Sequence, residues 1–498
     1  MKTTSLFQNL PFGGASVLAS RSKHVSCGSR VRSPHPSDRV LQTPLLVLNL
    51  FLLATALSSF ASDPDLVLTQ MPAAAPTNAS PSNYLARRYL PGSRIVLARA
   101  PLQPKKVRVL SAGLHAAGGP VLTRDARSVL FVGQAEQDGD WQVYTARLDG
   151  GRPELLTQMP GGAMSPDVLS SGDLVFISPV PRLGEGSQTP PCASIYAEAR
   201  GGVPHRLTFT ASDITGLTVL NDGRILFVSG FPESTPEQQR QAFFTVRSDG
   251  TEFSLFAGQH EVPQLVRRPR EVGDGIVFLA SPLNTTARPT WPRAVPMGQP
   301  FSAPRTLFPF VTGPCRSIED GGDGTFIVSL EKREDGDPAA RASSAIFRLN
   351  TNASGTSKVL FNDVAWQDIE AVPVTPRPPP KGFTSARASG KKTGTILCLD
   401  ANFTSYRALN EEPPRIVRIR LLARRKGETI PVGEVPVQAD GSFTAEVPAD
   451  VPLGFEALDA QGAVVRREAP SVWLRAGEKR TCAGCHEPHG RLPGNHRS

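Results

Sequence analysis

The stretch "SVLFVG" (Ser128 to Gly133), followed by "WQVYTARLDGG" (Trp141 to Gly151), decides the fold, because the chain repeats it. An apolar β-branched and aromatic run is followed by an alternating strand and an Asp-Gly turn, the pattern of an antiparallel hairpin. The same first strand returns as "DLVFIS" at Asp173, "RILFVS" at Arg224, "GIVFLA" at Gly275 and "TFIVSL" at Thr325. Phe131, Phe176, Phe227 and Phe278 hold equivalent places, with Ile327 as the fifth, at steps of 45, 51, 51 and 49 residues. The second strand returns as "ASIYAEARGG", "AFFTVRSDG" and "AIFRLNTNASG", and each unit closes on a leucine: Leu156, Leu207, Leu255, Leu307 and Leu360. The repeated aromatic and leucine positions are core packing and carry no chemistry.

A unit of this length in four short strands cannot bury both faces alone, whereas stacking units around an axis does so. The expected fold class is therefore all-β: a β-propeller of about six blades, followed by a small β-sandwich and a short C-terminal tail. Five blades are visible. "SRIVLARAP" (Ser93 to Pro101) and a strand near "DIEAVPV" (Asp368 to Val374) supply a sixth. After a Pro- and Gly-rich stretch, "TILCLD", "RIVRIRLLARR", "VPVQADGSFTAEVPA" and "LGFEALDAQGAVV" read as sandwich strands, with Asp440-Gly441 and Gln461-Gly462 as hairpin turns. The boundaries read as a leader over 1–61, a linker over 62–82, the propeller over 83–374, a linker over 375–394, the sandwich over 395–475 and the tail over 476–498. At 498 residues the chain has room for these domains, and its 47 Pro and 44 Gly suit short strands joined by turns.

The leader reads as an export signal. "LLVLNLFLLATAL" (Leu45 to Leu57) is an apolar run too short for a membrane span, and Ser59 and Ala61 place cleavage before Ser62. A polar stretch of more than 40 residues precedes the run, so either translation starts downstream of Met1 or the segment is a signal anchor. The expected location is periplasmic or extracellular, with no span in the mature chain unless the leader is retained. Of the formal charge of +9, Lys2, Arg21, Lys23, Arg30, Arg32 and Arg39 against Asp38 lie in the leader. The remaining positive charge is spread out, and nucleic acid is not an expected partner. Cys27 leaves with the leader; Cys192, Cys315 and Cys398 form at most one disulfide, so this is no disulfide framework. No paired carboxylates, serine triad or phosphate loop appears.

The tail holds "TCAGCHEPHG" (Thr481 to Gly490). Two thiols at this spacing with a histidine following suit three chemistries: a redox disulfide, half of a zinc site, or covalent haem. The redox reading lacks the βαβ setting it needs. Zinc needs four ligands, so Cys482 and Cys485 would be joined by His486, His489 or His496. Haem c requires this spacing: both thiols add to the porphyrin vinyl groups and His486 faces the iron. Haem c is the preferred cofactor, with zinc the alternative and a redox protein the expected partner. His489 and His496 are further candidate metal ligands, while His115, His205 and His260 read as surface residues near propeller turns.

The middle of the chain resembles the WD40-like, TolB-type propellers of secreted bacterial proteins. From about Ser93 onward, and most specifically through "GSFTAEVPADVPLGFEALD" (Gly441 to Asp459) and "VWLRAGEKRTCAGCHEP" (Val472 to Pro488), it resembles proteins with the middle domain of the hydrazine synthase alpha subunit. The resemblance implies an unusual haem in which a tyrosine shortly after the motif binds iron and the motif histidine binds zinc. Cys482, Cys485 and His486 carry over, but Gly490 stands at the tyrosine's place and no Tyr follows Tyr406. Ordinary ligation through His486 is the expectation instead. The family's further C-terminal haem domain has no counterpart in the 12 residues after His486. One haem handles one electron, so hydrazine synthesis is not inferred; electron transfer or haem-based redox is. The other function class is a propeller binding or scaffold module with an apo or zinc-bound tail.

Overall fold

In the computed structural model the described residues are 63–73, 89–180, 192–210, 212–230, 241–258, 264–282, 290–311, 313–332, 343–350, 357–385, 387–388, 390–403, 414–425 and 428–484. The expected leader over 1–61 and the export signal read in it lie outside them. Among the described residues every regular element is a strand, and no helix is long and apolar enough to cross a membrane. Asp63–Ser498 forms a single compact unit.

Six four-stranded antiparallel sheets make the propeller. The first blade runs Ala116–Leu122, Ser128–Gln134, Gln142–Arg147 and Glu154–Leu155 in spatial order. The next four repeat that order, their first strands being Met164–Val168, Ile214–Val219, Gln264–Val272 and Cys315–Gly322. These first strands touch one another around the axis. The sixth blade is composite: Trp366–Pro373 occupies the axial place and pairs with Leu66–Pro72, which continues to Arg94–Ala98 and Val107–Val109. Joining the two ends of the repeat region in one sheet closes the ring and removes an exposed edge. This corrects the reading of 62–82 as linker. "LVLTQMP" is too close to the Pro- and Ala-rich segment to stand out by composition. It is nevertheless buried on both faces, as a central strand must be.

Phe131, Phe176 and Phe227 are fully buried and Phe278 nearly so, with Ile327 in the fifth place. Phe131 faces Tyr144 across the strand pair, Phe176 faces Tyr196 and Phe227 faces Phe244, each pair stacked at ring separations of 6.0, 6.1 and 5.9 Å. Such pairs add to the area they bury. Phe131→Ala is expected to lower unfolding free energy by about 3–5 kcal/mol, the usual cost of emptying a core aromatic site, measured by denaturant melting.

Every axial strand also carries a β-bulge. The register slips at Gly118/Val121, Met164/Asp167, Ile214/Gly216, Arg267/Arg270 and Cys315/Ser317, and in the sixth blade opposite Val67/Thr69. Gly119, Ser165, Arg268 and Glu370 take positive φ at these slips, and Pro120, Pro166 and Pro269 follow three of them. A proline is tolerated there because the bulged residue makes no ladder bond. The result is a ring of side chains re-aimed toward the axis.

Two sheets follow: Phe443–Pro448, Thr393–Asp400 and Lys479–Gly484 in one, and Glu428–Pro436, Arg418–Arg425, Leu453–Leu458 and Val464–Val472 in the other. Ile396, Cys398, Leu421, Phe443, Val447 and Leu474 share the core between them. The expected boundary between sandwich and tail at 475 does not hold, because Lys479–Gly484 is a strand of the first sheet. The Pro-rich stretch is not a free spacer either. It is a strap across blade turns, with Arg377 N donating to Arg124 O (2.8 Å) and Lys381 N to Asn221 O (3.0 Å). A Cβ on Gly223 would lie 2.0 Å from Lys381 O, so this turn must be glycine for the strap to lie down.

Cys315 and Cys398 are buried thiols with no disulfide; the side chain of Cys192 lies outside the described residues. Burial pushes the Cys315 thiol up to about 12, consistent with an inert core cysteine.

Candidate functional site

The tail motif begins on a strand held on one side by a central neighbour. Thr393–Asp400 pairs antiparallel with Phe443–Pro448 and parallel with Lys479–Gly484, which is therefore an edge strand. Before it, Trp473, Arg475 and Glu478 tie the sandwich to the propeller. The Trp473 ring is fully buried, stacks on Phe253 of the third blade at 4.1 Å and donates Nε1 to Gly250 O at 3.2 Å. Arg475 is 3% exposed and donates Nη1 to Arg206 O at 2.9 Å, with its guanidinium over Phe209. Burial lowers its pKa, opposed by the charge of Asp450.

Glu478, 2% exposed, accepts Glu252 N at 3.0 Å and Arg475 N at 2.8 Å, and lies 3.3 Å from Arg480. Its backbone oxygen accepts Thr395 N, the first bond that sets the parallel strand. The residues "WLRAGEKR" thus fix the position of the strand that carries Cys482. Trp473→Phe keeps the stacking but leaves a buried carbonyl unsatisfied; it is expected to cost about 1–3 kcal/mol, read by thermal or denaturant unfolding.

Cys482 is half-buried and packs against the sandwich core, at the same register as Cys398. Two residues on, Gly484 admits no side chain, because a Cβ would lie 2.2 Å from Phe403 O. Cys485, His486, His489 and His496 lie outside the described residues, as does His260. Among the described residues no group of three metal-ligating side chains occurs. The expected surface position holds for His205, which is exposed; His115 is half-buried with Nε2 enclosed.

Among the described residues no strand pairs with the outer edge of Lys479–Gly484, and in the sequence Cys482 is followed at the covalent-haem spacing by Cys485 and His486. On the opposite face of the sheet from Cys482, Leu397 and Leu399 of Thr393–Asp400 are 38% and 43% exposed.

A second polar centre lies on the propeller axis, and the repeat pattern alone did not reveal it. Glu370, 2% exposed, pairs with Arg268 Nη1 and accepts the Tyr89 hydroxyl (2.9 Å), the Thr69 hydroxyl (2.9 Å) and Gly119 N (2.8 Å). An axial cavity is lined by Tyr89, Gly119, Asp167, Arg268 and Glu319, and Arg377 of the strap reaches it, donating to Leu122 O at 3.2 Å. Glu319 is held by Arg270 at 2.9 Å, and Asp167 accepts Val219 N at 2.8 Å. On the same blade-closing strand as Glu370, Asp368 is wholly buried, and desolvation pushes its carboxyl up to about 7 against the Asp363 backbone N–H and the Gln70 amide. The recurrent "GGP", "MSP" and "RRP" on the axial strands were the available signal.

Residues 424–487 match the family model of the hydrazine synthase alpha subunit middle domain. The fold is similar to that of Kuenenia stuttgartiensis hydrazine synthase, with a TM-score of 0.74 and 19% identity, covering 87% of this chain and 71% of that one. TolB from Acinetobacter baumannii matches with a TM-score of 0.43 and 12% identity, over 62% of this chain and 66% of that one. No curated protein matches the chain.

Proposed function

We propose that this chain is an exported c-type haem protein acting in electron transfer or haem-based redox, and not itself a hydrazine synthase. Cys482 and Cys485 would hold the porphyrin through thioethers, and His486 would bind the iron. The observation that carries the reading is the family-model match, which runs through all three residues to 487. The clamped edge strand that delivers Cys482 supports it. Bound haem supplies a one-electron couple, tuned by its axial ligand and its burial. The chain's own part is positional: Arg475 holds to the second blade and Trp473 and Glu478 to the third, which fixes the strand that carries Cys482 against the propeller. Export supplies the compartment in which such attachment occurs, and a redox protein is the partner.

The test is a haem stain of the denatured chain made in a haem-attaching host. Staining with a Soret band supports the reading. An unstained chain that binds one zinc ion favours the second reading, a propeller scaffold with a metal-capped tail. One feature speaks for that alternative: Cys398 places a further thiol beside Cys482.

A further inference from the structure

Cys398 stands at the same register as Cys482 on the neighbouring parallel strand. Residues at one register of a sheet point to one face. Here that face is the sandwich core, to which both belong, with Phe443 completing the row on the other side of Cys398. The flanking Leu397 and Leu399 point to the opposite, exposed face. Cys398 is 1% exposed and Cys482 half-buried, and neither is in a disulfide. We propose that Cys398 is a disulfide partner of Cys482, forming a reversible bridge across the two strands that withholds Cys482 from cofactor attachment until it is reduced.

In this step the two thiols lose two protons and two electrons to a disulfide oxidant, which leaves as two thiols, and one S–S bond forms between the strands. Neighbouring strands lie about 4.7–4.9 Å apart, within the Cα range that disulfides span. Unstrained bridges nevertheless have Cβ atoms at about 3.8 Å. Closing this bridge therefore draws the strands together, and such strained bonds are the readily reduced ones. Access comes from the Cys482 side, which is at the sheet edge, while Cys398 is shielded from bulk oxidant until Cys482 has reacted. The attack order follows: oxidant on Cys482 first, then Cys398 resolves the mixed disulfide.

The withholding role rests on the haem reading; the bridge does not. The full chain, made without haem-attachment machinery, is treated with oxidised glutathione, alkylated, digested at acidic pH and mapped by mass spectrometry. A Cys398–Cys482 linked peptide pair as the main product is the expected result. Cys482 bridged only to Cys485, or left as a glutathione adduct with Cys398 reduced, overturns the proposal. In a haem-attaching host, Cys398→Ala is expected to raise the stained fraction at least two-fold under oxidising growth and to leave it unchanged under reducing growth. An equal stained fraction for both chains under oxidising growth refutes the withholding role. A bridge in a chain that never stains under any condition sinks the haem reading while the cross-link stands.

Discussion

Cys482→Ala together with Cys485→Ala is expected to abolish covalent haem in a chain that still folds. Cys482 contributes only part of its surface to the sandwich core, and the bonds that hold its strand come from the backbone and from Glu478 and Trp473, none of which the substitution touches. A near-normal melt with a lost stain therefore separates attachment from folding. Either single variant should keep a weaker stain, because one thioether remains. His486→Ala should leave covalent haem but change its spectrum, since the imidazole sets the iron's field. An unchanged spectrum would move the ligand to His489 or His496. Persistent staining of the double variant, at a level matching the wild type, would end the attachment hypothesis.

Glu370→Ala is expected to be the most destabilising point substitution in the propeller. The carboxylate is buried at the axis and receives Arg268, Tyr89, Thr69 and Gly119 from three different blades. Removing one member of a buried ion pair costs about 3–5 kcal/mol, because the partner charge is left without compensation in a poor solvent. Two hydroxyls and a backbone N–H lose their acceptor at the same time, each a further cost of about 1–3 kcal/mol where water cannot replace it. The expected loss therefore lies at or beyond the upper end of the first range. Glu370→Gln, which keeps the acceptor oxygen and removes the charge, should lie between the two chains. Denaturant melts of the three chains check the order; a Glu370→Ala chain within 1 kcal/mol of the wild type, on the scale of a surface change, would show that the axis is hydrated and the pair screened.

The blades were legible because each strand announces itself locally. Alternating apolar residues, Asp-Gly turns and a recurring phenylalanine need no knowledge of distant neighbours, and Phe131, Phe176, Phe227 and Phe278 are buried as their spacing implied. The strand Leu66–Pro72 escaped because its partner Trp366–Pro373 lies some 300 residues away, and pairing over that distance leaves no local trace. The axial network escaped for the same reason. Glu370, Arg268 and Tyr89 read one at a time as ordinary polar residues, and only ring closure brings them into one buried cluster.

Composition and periodicity by themselves determined the all-β class, the repeat and the two-thiol motif, since these are properties of short windows in which side-chain alternation and turn chemistry act. Tertiary structure alone decided how the ring closes, which charges meet on its axis, and that the segment from Trp473 to Arg480 fastens the strand that carries Cys482 to the third blade. It also decided that Cys398 stands beside Cys482. Register between strands far apart in the chain is set by how whole sheets bury their faces, and no window of sequence contains both partners.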